Sequence, residues 1–529
     1  MKIKNTLFLL FVSFFFISGI ILNCQSNSSK SPKSRLLYNS DGSNIFLKGP
    51  VPISVQQVWD AVDEVAGTQA KTFLISPNAG QNMFYPSKVG EMFGEKEYDR
   101  IVADTSISIF VRNWAVNLRN LVKQGHDPLA LIVDRAREKG LEIFLTFRMN
   151  ELHDVTTPGS PLLAPFWKSH LEFRLNDLPG EPWGEFALDY AIPEVRNYYF
   201  SLLKEVCENY NIDGLELDFQ RFPHYFKHAP GEAWKNSPIM TEFVTSIRTM
   251  MDQIGEKKNR SLLLSVRVPS SLKACKTIGL DVVDWVKKNL LDFVTVAPFL
   301  TTEFNIPIQE FKQAFSPSAI SVYTGLEFSV PGGRPMTKEV FRSISMNYLD
   351  QGADGIYLFN FFCYRETNLE PDFTVLKEIG NLKTLTGKEK LYEMVPITPF
   401  EHHVALQSPL PLTINPGETK SVNQYIADHP DSPESIQAFS NSVLRIITKG
   451  IPDGTTLNVS VNGKKLESGT IPTDSSLFHG PHYVKAAELK DCRDYLLPLS
   501  VLKYKNNEIS FLVEGLKPVT INEIQIALK

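Results

Sequence analysis

The chain of 529 residues has few of the features that mark several common protein classes. Its five cysteines include no CxxC pair, and its ten histidines never occur in HxH or HExxH spacing. These gaps argue against a structural zinc site, and a chain of this length needs no disulfide framework to fold. The formal charge of -5, without a run of Lys or Arg, also argues against nucleic acid as a partner.

The longest apolar run stands near the N-terminus, from Thr6 to Leu22, behind two lysines. A charged start followed by a short apolar core predicts that residues 1–23 form a secretion signal. Cys24 follows, which resembles the lipobox of bacterial lipoproteins and implies lipidation of this cysteine. Residues 24–50 are then predicted to be a lipidated, flexible tether. We expect an exported lipoprotein, membrane-anchored in the periplasm or at the cell surface; a plain cleaved signal and a retained signal anchor are the alternatives.

Between about Ala70 and Thr384, short β-branched or aromatic runs alternate with longer amphipathic stretches. This alternation predicts a parallel sheet, and a weak internal repeat of the strand–helix unit favours a closed barrel over an open sheet. A weak ninth strand candidate covers residues 185–189. The sequence thus predicts a (β/α)8 TIM barrel over residues 51–394. Its strands are predicted at residues 72–76, 106–111, 141–147, 213–219, 261–268, 292–297, 319–324 and 354–359.

After residue 394 the sequence changes in character. Short apolar alternations there are broken by Pro, Gly, Asn and Asp, as in residues 456–463 and 508–515. Short strands bounded by turns are typical of an all-β module. We therefore predict a smaller β-sandwich domain over residues 395–529. It binds carbohydrate or braces the barrel, and bracing is favoured because the sequence shows no clear aromatic platform.

The chemistry of a (β/α)8 barrel lies at the C-terminal ends of its strands. On the strand at residues 213–219, Glu216, Asp218 and Gln220 share one face because side chains alternate along a strand. Two carboxylates on an otherwise apolar buried strand are costly unless they are paired or used. They are therefore either parts of a catalytic site or partners of arginines in buried ion pairs.

The segment 213–223, which reads Asp-Gly-Leu-Glu-Leu-Asp-Phe-Gln-Arg-Phe-Pro, resembles the glycosyl-hydrolase-like family 10 barrels of bacteria. Residues 188–196, 147–154 and 85–89 are similar to the same family, so that the resemblance covers roughly residues 70–382. It implies a (β/α)8 barrel that acts on carbohydrate. A looser likeness to the family 18 chitinases breaks down at Gln220, because their strand signature ends in a catalytic Glu.

Glycoside hydrolysis needs one carboxyl that protonates the leaving oxygen and a second that acts as nucleophile or activates water. Asp218 closes the fourth predicted strand and Glu327 follows the seventh, which is similar to the arrangement in many retaining barrel glycosidases. We predict Asp218 as the acid/base, Glu327 as its partner and Glu216 as a third candidate. Glu327 is alternatively a solvated loop residue or an ion-pair partner.

Further polar residues follow the predicted strands and are candidates for binding substrate. His153 and Asp154 can supply a proton or bind sugar hydroxyls, or they simply close a loop. Three arginines point to an anionic sugar, unless they only neutralise nearby carboxylates. No metal ligand set and no cofactor are expected. The full set of predicted substrate-binding residues is Asn78, Tyr85, Arg148, Asn150, His153, Asp154, Arg221 and Arg267.

The sequence therefore predicts a glycoside hydrolase that cleaves a glycosidic bond of a polysaccharide or oligosaccharide by paired carboxylate chemistry. Its expected partners are the carbohydrate substrate and, through the lipid anchor, a membrane; no obligate protein partner is evident. The alternative from another class is a non-catalytic surface carbohydrate-binding lipoprotein, which Gln220 suggests. A barrel hydrolase or lyase acting on something other than a glycoside is a third possibility, since a fold alone does not define a function.

Overall fold

A computed structural model describes most of the chain. The residues that it describes are 35–47, 49–78, 80–176, 183–227, 231–397, 404–474, 476–480 and 487–529. The predicted signal and Cys24 lie outside these residues. Among the residues described, no helix is both long and apolar enough to cross a membrane.

Eight parallel strands in the described part of the chain close into a barrel, in the order β1-β10-β7-β6-β5-β4-β3-β2. A small antiparallel hairpin, β8 with β9, follows the seventh barrel strand. The strands of this half are β1 Arg35–Ser40, β2 Ala70–Ile75, β3 Glu142–Arg148, β4 Gly214–Asp218, β5 Leu263–Pro269, β6 Phe293–Ala297, β7 Ser321–Leu326, β8 Ser329–Val330, β9 Arg334–Pro335 and β10 Gly355–Phe359.

Helices alternate with these strands and cover the outside of the barrel. Several begin where the sequence carries a capping residue, such as Ser54, Asp127 and Thr337, whose side chains accept from backbone N–H groups of the first turn. The helices are α1 Ser43–Phe46, α2 Val55–Asp63, α3 Tyr98–Ala103, α4 Ile109–Lys123, α5 Pro128–Glu138, α6 Pro165–Ser169, α7 Pro193–Asn209, α8 Glu232–Lys235, α9 Ser237–Lys257, α10 Leu272–Thr277, α11 Val282–Lys287, α12 Ile308–Phe315, α13 Lys338–Asp350 and α14 Leu382–Leu385.

The predicted barrel is confirmed together with seven of its eight predicted strands, but the strand predicted at residues 106–111 is wrong. Residues 106–111 contain the start of α4, where the Ser108 hydroxyl accepts from the backbone N–H of Phe110. Their strand-like alternation is the first turn of an amphipathic helix that buries Trp114 and Leu118 further along. The weak candidate at residues 185–189 forms a short 3-10 helix, Gly184–Phe186, and an isolated bridge.

The first barrel strand lies where the sequence predicted a flexible tether. Arg35–Ser40 is buried throughout and pairs with both β2 and β10, which closes the barrel. Arg35 at its start forms an ion pair with Glu142 of β3, at 2.9 Å. The tether prediction for residues 24–50 is therefore wrong from Arg35 onward. The charged and polar ends of this strand hid it, because a buried partner for Arg35 is not visible in the sequence.

The second half is a sandwich of two antiparallel sheets, ordered β11-β19-β14-β17 and β13-β18-β15-β16, with β12 beside β19. Their facing side chains form a separate apolar core. The sandwich begins at Lys390, slightly before the predicted boundary. Its elements are β11 Lys390–Met394, β12 Leu412–Ile414, β13 Thr419–Ile426, α15 Pro433–Ala438, β14 Ser442–Thr448, β15 Thr456–Val461, β16 Lys464–Lys465, β17 Cys492–Leu496, β18 Lys505–Glu514 and β19 Val519–Leu528.

Helix α13 carries the contact between sandwich and barrel. The Asn347 amide donates to the carbonyl of Tyr425 at 3.0 Å and accepts from the N–H of Ala427 at 3.0 Å. Asp350 accepts from the hydroxyls of Tyr425 and Tyr504. These polar contacts come from one helix face and reach both β13 and the start of β18, so the sandwich is fixed to the barrel in one orientation.

Lys390 forms a buried ion pair at the start of the sandwich. Its ammonium group donates to Asp428 at 2.9 Å and to the carbonyls of Leu385 at 2.7 Å and Lys388 at 3.0 Å. Both charged side chains are almost fully shielded from solvent. The pair therefore joins the last barrel helix to the sandwich, and each charge depends on the other for solvation.

We expect Lys390→Met to destabilise the protein by about 3–5 kcal/mol, because it leaves the Asp428 carboxylate buried without a counter-charge. Chemical unfolding of the two proteins measures this difference. The exposed Lys464→Met serves as a control for loss of a lysine charge. Adding Asp428→Leu to Lys390→Met is expected to restore part of the loss; an unchanged stability in the single variant would contradict the interpretation.

Candidate active site

The mouth of the barrel holds two carboxylates on either side of one guanidinium. Arg267, at the end of β5, donates from Nη1 to both oxygens of Asp218 at 3.1 and 3.2 Å. Its Nη2 donates to Glu327 at 3.1 Å. The guanidinium lies 3.9 Å from the centre of the Phe359 ring, which supports it from β10. All three charged side chains are at most 3% exposed, so the arrangement is an internal one.

Asp218 is surrounded by hydrogen-bond donors. Besides Arg267, the backbone N–H groups of Gln220 and Arg221 donate to its Oδ1 at 3.0 and 3.1 Å. The chain turns directly after β4, which brings these two N–H groups back to the carboxylate as in an Asx turn. Every hydrogen-bond partner of this carboxylate among the described residues is a donor. Asp218 is therefore equipped to act as an acceptor, a base or a nucleophile.

Glu327 stands one residue beyond β7 and is buried like Asp218. Burial, opposed by Arg267 and Arg221, raises the pKa of its carboxyl to about 7, and the charge of Asp218 contributes to the increase. Thr302 fixes its backbone, because the hydroxyl accepts from the Glu327 N–H at 3.0 Å and donates to its carbonyl at 3.1 Å. Glu327 is thus held rigidly and retains a proton near neutral pH.

A second charge cluster lies beside the first, around Arg148 at the end of β3. Arg148 donates to Glu151 at 2.7 Å and to Asp41 at 2.9 Å. Asn360 also donates to Asp41, at 2.9 Å. Asp41 follows β1, and it was missed because that strand was not recognised in the sequence. Arg148 is therefore neutralised within the protein. This agrees with the second possibility raised by the sequence, that the arginines neutralise nearby carboxylates.

His153 links this cluster to Arg221. Its Nδ1 is hydrogen-bonded to Glu151, and Nη2 of Arg221 lies 2.9 Å from its Nε2. Because a guanidinium can only donate, Nε2 accepts and the ring proton sits on Nδ1. The side chain of His153 is 39% exposed, in contrast to the buried carboxylates around it. It is the part of the cluster that solvent reaches most readily.

Arg221, Phe222 and Phe299 form a roof over the buried charges. The guanidinium lies 4.9 Å from the Phe222 ring centre and 5.7 Å from that of Phe299, and the two rings contact each other. Phe222 has φ 52° and Leu300, next to Phe299, has φ 62°. Bulky residues seldom adopt this left-handed region, so both loops that meet in the roof are strained.

Arg221 differs from the other two arginines of the mouth. No carboxylate among the described residues lies within ion-pair distance of it, and its Nε and Nη1 are buried without a hydrogen-bond partner there. Burial and the nearby charge of Arg148 lower its pKa. Its guanidinium therefore keeps donor capacity that the described protein groups do not use.

Glu216 lies on the same face of β4 as Asp218 but deeper in the barrel. Its Oε1 accepts from Thr146 at 2.8 Å and from Tyr357 at 2.7 Å, while Oε2 meets no donor among the described residues. Burial and the charge of Asp218 raise the pKa of the carboxyl to about 7. Glu216 is fully shielded and makes no contact with Arg267, so it supports the strand from below rather than facing a ligand.

Gln220 occupies the position that would carry a catalytic Glu in the looser chitinase likeness. Its side chain is fully buried, and neither atom of its amide group meets a partner within the described part of the chain. A buried amide without partners costs free energy comparable to lost hydrogen bonds. This amide therefore keeps a donor and an acceptor that the described residues do not use.

Four residues predicted to bind substrate are engaged elsewhere. The Asn78 amide bonds to the backbone of Arg148 in both directions, and the Asn150 amide does the same with Leu188. The predicted binding role of these residues is not supported, because their polar groups fix loops. Tyr85, likewise, donates to Glu205 at 2.9 Å, and Asp154 accepts from Ser160 at 2.9 Å in an exposed turn.

The carboxylates and histidines of the mouth do not form a metal site. Across the described ranges, no group of three or more His, Cys, Asp or Glu side chains is placed to hold a metal ion. The carboxylates of the mouth are instead bound by arginines, which occupy the oxygens that a cation would need. The arrangement suits proton transfer and binding of a polar organic ligand.

Two carboxylates that lie in different environments at the C-terminal face of a (β/α)8 barrel are typical of glycoside hydrolase barrels. The sequence model described as "Glycosyl hydrolase-like 10" matches residues 111–236. This region runs through β3 and β4 and includes Arg148, Asp218 and Arg221. Within its barrel, the chain is therefore similar to the glycosyl hydrolase-like 10 family over these residues. Arg267 and Glu327 lie beyond the matched region.

Among curated proteins, "Glycosyl hydrolase DigH" of Escherichia coli K12 is 23% identical over 158 residues. The match covers 29% of this chain and spans about a third, 34%, of the length of that relative. Proteins of the same name from E. coli O157:H7 and Shigella flexneri match over the same number of residues. The similarity is restricted to part of the barrel.

Two solved structures are distantly similar. The PgaB (BpsB) glycoside hydrolase domain from Bordetella bronchiseptica has a TM-score of 0.43 and 11% identity, and the alignment covers 66% of this chain and 99% of that one. Alpha-L-fucosidase isoenzyme 2 from Paenibacillus thiaminolyticus has a TM-score of 0.42 and 12% identity, with 66% and 49% covered. The strand order of the barrel, rather than these similarities, defines the fold.

We expect Glu216→Gln to alter stability in a pH-dependent way. A carboxyl whose pKa is raised on folding stabilises the folded state below its unfolded value, and this contribution is lost as pH rises through about 7. The glutamine stays neutral, so the variant should gain about 3 kcal/mol relative to wild type between pH 4.5 and pH 8.

Chemical unfolding of both proteins at several pH values measures this difference. The exposed Glu467→Gln removes the same charge without burial and should track wild type throughout. Other buried carboxyls titrate equally in all three proteins and cancel. A stability difference between Glu216→Gln and wild type that does not vary with pH would show that Glu216 is not protonated in the folded protein.

Proposed function

We propose that this barrel hydrolyses glycosidic bonds with Glu327 as the proton donor and Asp218 as the nucleophile or the base for water. One observation carries the proposal: two carboxylates share Arg267 but differ in their surroundings, because Asp218 also accepts from two backbone N–H groups, whereas burial raises the pKa of Glu327 to about 7. Glycoside hydrolysis requires one carboxyl that gives a proton and a second that attacks the sugar or activates water.

This assignment reverses the roles expected from the sequence. Asp218 accepts from two backbone N–H groups and a guanidinium, so its oxygens are oriented as acceptors. Glu327 has a pKa raised to about 7, close to the value at which a general acid works best in neutral solution. Arg267 positions both groups, because it donates to each of them.

The proposed substrate carries a negative charge. Arg148 and Arg267 are each neutralised by two carboxylates, but Arg221 has no carboxylate partner in the described residues. A planar guanidinium with free N–H groups fits a carboxylate or sulfate. We place a uronic acid, or a similar anionic substituent, on Arg221, with His153 at the solvent side of the same site.

Arg221 is only 8% exposed, so the roof must shift before such a ligand reaches it. The strain at Phe222 and Leu300 lowers the cost of that movement, because an open arrangement releases unfavourable backbone geometry. The proposal for the whole protein also includes export and lipid anchoring through Cys24, which brings the barrel to glycans outside the cytoplasm.

A non-catalytic carbohydrate-binding lipoprotein is the second candidate function. It is favoured by the shielding of Asp218 and Glu327, which are 1% and 3% exposed, and by an amide at Gln220 in place of a carboxyl. A binding cleft, however, has no need of two carboxylates that share one guanidinium at the strand ends. Product release from glycans by the mature protein separates the two candidates.

We expect Glu327→Gln to lower kcat/KM about 100- to 10,000-fold on polysaccharides, the usual contribution of a general acid. Aryl glycosides with an acidic phenol need no protonation on leaving, so the variant should keep most of its activity on them. Asp218→Asn should abolish turnover of both substrate types, because it removes the attacking or activating group.

Product release is measured on a panel of neutral, uronic and sulfated polysaccharides and on nitrophenyl glycosides, with Glu467→Gln as a control. The wild-type pH profile should fall above about pH 7, where Glu327 loses its proton, and Glu327→Gln should lack this decline. Equal losses on both substrate types in Glu327→Gln would contradict its role as the acid. Binding without product in wild type would favour the second candidate.

We expect Arg221→Met to remove a preference for charged substrates. Loss of a charge-assisted hydrogen bond costs about 1.5–3 kcal/mol, so kcat/KM for a uronic substrate should fall at least about tenfold relative to its neutral analogue. Arg493→Met removes a cation from the sandwich and serves as the control. A wild-type protein that treats charged and neutral analogues alike would exclude the anionic substrate.

A further inference from the structure

A cleft of about 300 Å³ lies between the barrel and the sandwich. One wall is the loop after β6, residues 302–307, together with Pro331 beside the small hairpin. The opposite wall is the end of β11 and the segment 423–425 of β13. Because α13 fixes the sandwich to the barrel, these two walls keep a constant separation.

The cleft lies next to the catalytic residues. Thr302 lines it and is hydrogen-bonded to both backbone groups of Glu327, at 3.0 and 3.1 Å. Its own N–H donates to the carbonyl of Ser329 at 2.8 Å, at the start of the hairpin. A ligand whose reacting bond sits at Glu327 therefore extends into the cleft if it continues past the loop after β6.

The side chains of the cleft suit a neutral sugar. Phe304 and Tyr425 are half-buried and provide ring surface on opposite walls. Amide groups of Asn305, Asn423 and Gln424 supply both donors and acceptors. No Lys or Arg is among the lining residues, so this cleft offers nothing to the anionic group that Arg221 would bind.

Glu393 places an acidic side chain in the same wall. Its Oε1 accepts from Arg334 and from Gln525, each at 3.0 Å. Its Oε2 is buried and meets no donor among the described residues. An acidic side chain in the wall disfavours an anionic ligand.

We propose that this cleft is a distal subsite for neutral sugar units of a polysaccharide whose reacting bond lies at Asp218 and Glu327. This rests on the proposed function. Occupation of the cleft makes the protein selective for long chains, because a disaccharide held at the mouth does not reach Phe304 or Tyr425. The sandwich is then part of the substrate-binding surface as well as a brace.

The test uses the full mature chain carrying Glu327→Gln, in which binding is measured without turnover. Cello-, malto- and chito-oligosaccharides of two and six units are the probes, and calorimetry gives their affinities. In at least one series the longer probe should bind about tenfold more tightly, a difference of ~1.4 kcal/mol. Phe304→Ala in the same background should remove this gain and leave the affinity for the short probe unchanged.

Phe110→Ala, which truncates an exposed phenylalanine on α4 away from the cleft, is the matched control and should keep the gain. Gln424→Leu gives a second test that retains side-chain size. Thermal unfolding confirms that each variant is folded. No gain with length in any series, or a gain that survives both Phe304→Ala and Gln424→Leu, would overturn the proposal.

Failure of the subsite and failure of the proposed function have different signatures. Hydrolysis by wild type without any gain in affinity with length would leave the catalytic proposal intact and remove the subsite. A gain with length that depends on Phe304, in a protein that releases no product from any glycan, would leave a binding site and remove the hydrolase.

Discussion

The shared contact of Arg267 with Asp218 and Glu327 is the interaction on which the rest of the mouth depends. Without this guanidinium, two buried carboxylates would face each other in a medium that solvates charge poorly. With it, each carboxylate has a cationic partner at 3.1 Å. The barrel supplies the geometry, because the ends of β4, β5 and the residue after β7 converge only when the sheet is closed.

The other charges of the mouth are arranged so that nearly all of them are compensated locally. Arg148 has Asp41 and Glu151, and Arg267 has its own pair, which leaves Arg221 as the arginine without a carboxylate partner in the described residues. Deeper in the barrel, Glu216 retains its proton rather than gaining a cation. The charged groups are therefore concentrated at the mouth of the barrel. Arg221, which has no carboxylate partner among the described residues, is the group there that is most available to a ligand.

The sequence was sufficient to predict the barrel and the sandwich. Hydrophobic alternation identified seven of the barrel strands, but it failed for Arg35–Ser40, where the charge of Arg35 is paired by Glu142, 107 residues away. Asp41 was missed with it. Asn78 and Asn150, which we predicted to bind substrate, have amides that bond to backbone groups instead. A polar residue at a strand end looks alike in sequence whether its amide meets a substrate or a backbone 70 residues away.

The roles of Asp218 and Glu327 could not be assigned from position in the chain, because protonation depends on what surrounds each group. Two N–H groups reach Asp218 only because the chain turns after β4, and Glu327 is confined only because Thr302 of another loop holds its backbone. That same loop faces the sandwich through residues 303–307. One loop therefore both fixes the backbone of the proposed acid and lines the cleft. Under the proposed function, the sandwich would affect catalysis in two ways, by helping to position this loop and by binding the sugar that the cleft holds.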